Sequence, residues 1–132
     1  MKTVKVDQIE IANDKPFVLI AGLNVLEDEK TVEKVVSSCV KTTTELNIPY
    51  IFKASYDKAN RSSINSYRGP GITRGLEILS EIKKDYNVPI ISDIHTTDEA
   101  QQASEVLDII QIPAFLSRQT DLIEAACKTN LP

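Results

Sequence analysis

Asn47-Ile48-Pro49-Tyr50-Ile51 returns forty residues later as Asn87-Val88-Pro89-Ile90-Ile91, and this echo decides how the chain is read. In each copy a proline opens a short apolar run, too brief for a helix, and proline is tolerated at the first residue of a strand. Each copy also follows an amphipathic stretch with charged or polar spacers, Thr31 to Leu46 and then Ile72 to Tyr86. A helical pattern feeding an apolar strand, twice over, predicts βα units and a parallel sheet covered on both faces.

Working outward, the same reading predicts strands over 17–21, 50–53, 90–93 and 109–111. Helices are expected over 29–46, 71–86, 98–105 and 119–128. Thr97-Asp98 and Thr120-Asp121 offer side-chain oxygens to cap the third and fourth of these. Two short runs over 3–6 and 9–12, separated by Asp7-Gln8, read as a hairpin. The expected organisation is a single α/β domain, residues 1–14 as hairpin and 15–132 as four βα units, with no linker inside it. Right-handed crossovers place the helices, but periodicity fits an open doubly wound sheet and part of a (β/α)8 barrel equally. A complete barrel takes about 250 residues, so four units in 132 residues correspond to half of one.

Composition narrows the function. Hydrophobic residues make up 42% and charged residues 26%, which fits a globular domain and excludes a disordered chain. A net charge of −4 argues against general nucleic-acid binding. No apolar run approaches the ~20 residues of a membrane span. The segment 1–7 lacks the apolar core of a secretion signal, so a cytoplasmic protein is expected. Cys39 and Cys127 form no close pair and read as buried thiols of a reducing compartment.

The charge is unevenly spread. Between 53 and 74 stand Lys53, Lys58, Arg61, Arg68 and Arg74 against Asp57 alone. An anion site and a solvated basic loop both account for this island. In either parallel architecture ligands bind at the carboxyl ends of the strands. Polar residues fall there: Asn24 after the first strand, Lys53 to Ser63 after the second, Ser92-Asp93-Ile94-His95 at the third and Gln111-Ile112-Pro113-Ala114 at the fourth. Lysine and arginine suit phosphate and carboxylate. Asn60-Arg61-Ser62-Ser63 combines amide, guanidinium and hydroxyl donors, which also compose ordinary turns.

The remaining signals are weaker. His95 is the sole histidine, a polar or proton-transfer group if it is not merely structural. One histidine and two distant cysteines write no zinc site. Glu27, Asp28 and Glu29 read as the charged start of a helix. Arg68-Gly69-Pro70-Gly71 supplies flexible backbone before a helix but lacks the spacing of a nucleotide-binding loop. No nucleophile motif is present.

Phe52-Lys53-Ala54-Ser55-Tyr56-Asp57-Lys58-Ala59-Asn60-Arg61-Ser62-Ser63, followed by Ser66-Tyr67-Arg68-Gly69-Pro70-Gly71, closely resembles the 3-deoxy-D-manno-octulosonate 8-phosphate synthase family, also called 2-dehydro-3-deoxyphosphooctonate aldolases. Ser92 to His95 and Ile110 to Leu122 extend the resemblance over essentially the whole chain. It implies the first half of a TIM barrel with the hairpin closing its bottom. It implies a transferase that condenses phosphoenolpyruvate with D-arabinose 5-phosphate and water, yielding 3-deoxy-D-manno-octulosonate 8-phosphate and phosphate for lipopolysaccharide synthesis.

Carried over by motif, Lys53 and Lys58 contact phosphoenolpyruvate, Gln111 and Ala114 line the same pocket, and Ser55 is a further substrate-binding position. Asn60, Arg61 and Ser62 hold the phosphate of arabinose 5-phosphate across a subunit interface of a homo-tetramer. Asp93 binds sugar hydroxyls. Asn24, Lys58 and His95 are the catalytic candidates. Metal-dependent members carry cysteine at the position of Asn24, so the resemblance implies the branch that needs no metal or other cofactor. It also implies that the sequence ends near the start of a fifth strand, where a single chain is expected to be inactive. The alternatives are a related phosphoenolpyruvate-dependent synthase and a phosphosugar-binding fragment without catalysis.

Overall fold

The computed structural model describes residues 2–132; Met1, which opens both the 1–7 stretch weighed as a leader and the segment read as hairpin, lies outside them. Strands β1 (Val4–Val6) and β2 (Ile9–Ile11) form the antiparallel hairpin. Asp7 turns it at a φ of 50°, a left-handed conformation that aspartate visits more readily than most residues. There follow β3 (Leu19–Gly22), α1 (Glu29–Glu45), β4 (Tyr50–Lys53), α2 (Ile72–Tyr86), β5 (Ile90–Asp93) and α3 (Thr97–Ser104). The chain continues through β6 (Ile109–Gln111), a 3-10 turn (Ala114–Leu116) and α4 (Thr120–Lys128). Among the described residues no helix is long and apolar enough to cross a membrane.

Strands β3 to β6 form one parallel sheet in chain order. A doubly wound sheet reverses its order at a switch point; this one never does. Each helix packs on the next, α1 on α2, α2 on α3 and α3 on α4. That is the winding of a TIM barrel, and it settles the alternative that periodicity leaves open.

The two sheet faces differ in what covers them. Tyr50, Phe52 and Ile90 pack under the helices with Val36, Leu79 and Ile82. Each large apolar side chain buried there contributes about 1.5–3 kcal/mol. On the other face Ile51 and Ile91 bury against Val6 of the hairpin, with Val18 and Ile109 alongside. Side chains alternate along a strand, so the next residues on this second face are Lys53, Asp93 and Gln111. An apolar floor closed by the hairpin therefore carries a polar layer at the strand ends.

The Asn-x-Pro echo acquires a physical reason. Asn47 and Asn87 follow α1 and α2 in left-handed conformation, φ 53° and 50°, which ends a helix at little steric cost. The prolines then supply carbonyls to the sheet: Leu19 N–H donates to Pro49 O and Phe52 N–H to Pro89 O, both at 2.9 Å. A third copy, Asn130-Leu131-Pro132, follows α4. Asn130 has φ 60°, and Pro132 O accepts from Ile110 N–H at 3.0 Å. Its different spacing hides it from a search at one fixed period.

Helix α1 starts where Asp28 accepts from Thr31 N–H at 3.1 Å and from its hydroxyl at 2.7 Å, the N-terminal role expected of the acidic cluster. Its Val32, Val36 and Thr43 recur on one face and are buried.

Four expectations need correcting. Strand β3 begins at Leu19 rather than residue 17, because pairing starts opposite Tyr50, and Phe17 is 67% exposed. Gly71 precedes α2 as its cap at a φ of 81°. Thr96 and Gln119 occupy the caps of α3 and α4 without side-chain cap bonds; the Glu99 carboxylate instead reaches back to His95 N–H at 2.8 Å. Cys127 is exposed and Cys39 half-buried, since α4 buries only Leu122 fully and turns Cys127 outward.

Candidate anion site at the strand ends

Ser55, just beyond β4, is fully buried. Its hydroxyl donates to Asp93 Oδ1 at the end of β5. It accepts from Lys53 Nζ at 2.8 Å and Lys58 Nζ at 3.0 Å. One donor and two lone pairs are thereby all used. Asp93, 3% exposed, lies 3.9 Å from Lys53 Nζ and 3.8 Å from Lys58 Nζ.

On its other oxygen Asp93 meets His95 Nε2 at 3.2 Å. His95 Nδ1 lies 3.2 Å from Glu99 Oε2, one turn into α3. The same Glu99 oxygen accepts from Tyr56 O–H at 2.8 Å. Tyr56 stands edge-on to the imidazole, ring centres 5.7 Å apart and planes at 87°. The residues thus form a continuous polar chain from Lys53 and Lys58 through Ser55, Asp93, His95 and Glu99 to Tyr56.

Charge in this chain follows from burial and pairing. Burial opposes ionisation of Asp93, but bonds from His95 and Ser55 and the charges of Lys53 and Lys58 outweigh it, bringing its pKa to about 2. Hydrogen bonds to Asp93 and Glu99 raise His95 to about 9 against a desolvation penalty. Burial would raise Glu99; its bonds from His95 and Tyr56 hold it below the usual carboxylate value. Burial depresses the Lys53 ammonium, and Lys58 adds to this while Asp93 resists it. At neutral pH His95 is an imidazolium between two carboxylates. With Lys53 and Lys58, cationic side chains outnumber anionic ones in the cluster.

The loop after β4 is held by backbone fit. Gly75 of α2 and Gly69 pack directly on Tyr56, where a Cβ at either position collides with it. Gly71 N–H donates to Tyr56 O at 3.0 Å and Lys58 N–H to Arg68 O at 2.7 Å. The Arg68 guanidinium grips Asp57 in bidentate fashion at 2.8 and 2.6 Å, which keeps the Asp57 carboxyl below its ordinary pKa. These ties fix where Lys58 emerges.

Lys58, Asn60, Asp93, His95, Gln111 and Ala114 line a cleft of about 250 Å³. Lys53 and Ser55 adjoin it through Asp93. The sequence-predicted residues outside it are Asn24, exposed after β3, and Arg61 and Ser62. Arg61 lines a separate concavity with Val25, Asp28 and Tyr67, and its Nε is buried without a partner. Ser62 is exposed. Tyr56 and Glu99 escaped the sequence reading; Glu99 stands at the third position of α3, from where its carboxylate reaches back to His95 just ahead of the helix. Among the described residues no group of three or more His, Cys, Asp or Glu is arranged to hold a metal.

A singly wound βα sheet with polar and cationic side chains gathered at its strand ends is that of a TIM-barrel-type protein, in which ligands bind at that rim. Residues 1–132 match the model of the DAHP synthetase I family, and the chain belongs to that family. It is 61% identical over 131 residues to a 2-dehydro-3-deoxyphosphooctonate aldolase of Hahella chejuensis, covering 99% of this chain and 47% of that protein. It is 59% identical over 129 residues to the protein of the same name from Psychromonas ingrahamii, 98% of this chain and 46% of the relative. The Pseudoalteromonas translucida protein of that name is 58% identical over 127 residues, 96% and 45%. The resemblance carried by the Lys53-to-Ser63 string is borne out. The chain spans about half the length of these curated relatives.

Proposed function

We propose that this chain carries strand-end binding residues of an enzyme condensing phosphoenolpyruvate with D-arabinose 5-phosphate and water. In that reaction C3 of phosphoenolpyruvate bonds to the aldehyde carbon, whose oxygen becomes a hydroxyl. Water adds its oxygen at C2, and cleavage of the C2–phosphate linkage releases inorganic phosphate. The observation that carries the reading is the convergence of Lys53 and Lys58 on Ser55 and Asp93 at the ends of neighbouring strands. Two anionic substrates require such fixed cations, which neutralise them and hold the reacting carbons together. The names of the relatives support the same reaction.

Lys53 and Lys58 receive phosphoenolpyruvate, Ser55 holds their ammonium groups, and Gln111 and Ala114 bound the pocket. Asp93 accepts from sugar hydroxyls, and His95, lining the same cleft, contributes positive charge near the reacting groups. Asn60, Arg61 and Ser62 bind the sugar phosphate. Arg61 faces away from the cleft, which supports its serving the site of a neighbouring copy in a homo-tetramer. Asn24, an amide where metal-dependent members have a thiolate, supports a reaction without metal. The proposed setting is the cytoplasm.

Calorimetric titration with each substrate, paired with a phosphate-release assay, tests this reading. Binding of both substrates is expected. Release of phosphate only when both are present establishes the condensation. Binding without release identifies a phosphosugar-binding fragment, and release with a different aldose phosphate identifies a related synthase. No binding of either substrate overturns the reading.

A further inference from the structure

The Lys58–Asp93–His95 cleft leaves Glu99 and Tyr56 outside its lining, yet both act on a residue inside it. Glu99 Oε2 takes His95 N–H at 2.8 Å, lies 3.2 Å from Nδ1 and takes Tyr56 O–H at 2.8 Å. One carboxylate oxygen thus fixes the start of α3, the imidazole edge and a phenol from the loop after β4. Tyr56 is fully buried and its ring stands edge-on to the imidazole, so the phenol that holds Glu99 is itself packed in place.

We infer that Glu99, held in place by Tyr56, is a positioning residue that fixes the His95 ring as a donor at both nitrogens, with Nε2–H aimed at Asp93. The inference rests on the proposed role of His95 in the cleft and adds the device that orients it. The physical reason is that an imidazole flanked by two carboxylates has only one protonation state that satisfies both. With Nδ1–H given to Glu99, Nε2 must also carry a proton to reach Asp93. A neutral ring would leave one carboxylate facing a lone pair.

The groups facing His95 come from three elements. Asp93 approaches from β5 and Glu99 from α3, while Tyr56 and the more distant Asp57 come from the loop after β4. Lys58 shares Asp93 with it. Carboxylates dominate the immediate shell, in agreement with the raised pKa of about 9.

Nitrogen-15 NMR of the chain tests this directly, because His95 is the single histidine. At pH 7.5 both ring nitrogens are expected to be protonated, with the Nδ1 proton visible through slowed exchange. Glu99→Gln keeps the shape and removes the charge. It is expected to lower the His95 pKa by about one unit or more, within the range produced by a neighbouring opposite charge. Should that variant not fold, Tyr56→Phe removes one donor from the same oxygen and keeps the ring. Its expected signature is faster exchange of the Nδ1 proton. A neutral single-tautomer ring in the parent chain, or an unmoved titration in folded Glu99→Gln, overturns the inference, as does unchanged Nδ1 exchange in Tyr56→Phe. Calorimetry with phosphoenolpyruvate runs in parallel. If the parent chain binds none while the NMR results hold, the proposed function fails and the positioning role stands.

Discussion

Ser55 and Asp93, separated by 38 residues in the chain, are joined by a buried hydrogen bond from hydroxyl to carboxylate. The bond links the ends of adjacent strands β4 and β5. It also decides where two ammonium groups rest, since Lys53 and Lys58 both donate to the same hydroxyl.

Ser55→Ala therefore removes a donor from a buried carboxylate and an acceptor from two lysines. Loss of a hydrogen bond to a buried charged group costs about 1–3 kcal/mol. Urea unfolding is expected to show a lower midpoint with an unchanged slope. A midpoint equal to that of the parent chain would mean that the bond contributes nothing to stability.

Gly75→Ala runs against a general trend. Replacing glycine inside a helix gains about 0.8–1.0 kcal/mol from propensity alone. At this position the new methyl collides with the Tyr56 Cβ, which cannot turn aside, and overpacking costs about 1–3 kcal/mol. A net loss of up to about 2 kcal/mol is expected in thermal or urea unfolding. Stabilisation instead would show that Tyr56 is free to shift.

The pH dependence of stability has two limbs. His95 titrates at about 9 when folded, above its ordinary 6.5, so its contribution is complete below 6.5 and disappears as pH climbs through 9. Asp93 lies at about 2 against an ordinary 3.8, so its contribution is present above 3.8 and disappears as pH falls through 2. Melting temperature is expected to be level between pH 3.8 and 6.5 and to fall from pH 6.5 to 9, the His95 limb amounting to roughly 3 kcal/mol. His95→Gln should flatten the alkaline limb. A melting temperature that rises over that range contradicts the assignment.

Asn24 leads to a prediction about metal. Where condensation is measurable, exhaustive chelation is expected to leave phosphate release unchanged. Loss of turnover that added divalent metal restores would place the protein in the other branch.

Much of the fold was legible because local chemistry marks it. Proline after asparagine after an amphipathic run signals helix end and strand start together, and β4, β5 and β6 fall where the apolar runs place them. The winding of the sheet was not legible, since a strand's own periodicity does not say on which side the next strand lies. Phe17 was misread because an apolar residue before a strand resembles part of it; only the pairing opposite Tyr50 fixes the boundary. In the site, Lys53, Asp93 and Gln111 were found because strand ends gather them. Glu99 was missed because Tyr56, 43 residues away, gives it half its meaning. Arg61 stands close to Lys58 in sequence, but the intervening loop turns it toward a different concavity.

Cations fixed at adjacent strand ends are expected to bind an anionic three-carbon phosphate, which calorimetric titration of phosphoenolpyruvate into the parent chain, Lys58→Met and Lys53→Met decides. Removing either charge-assisted contact is expected to weaken binding by at least about tenfold, the equivalent of ~1.4 kcal/mol. Affinity unchanged in both variants, with the parent chain binding measurably, would contradict the account.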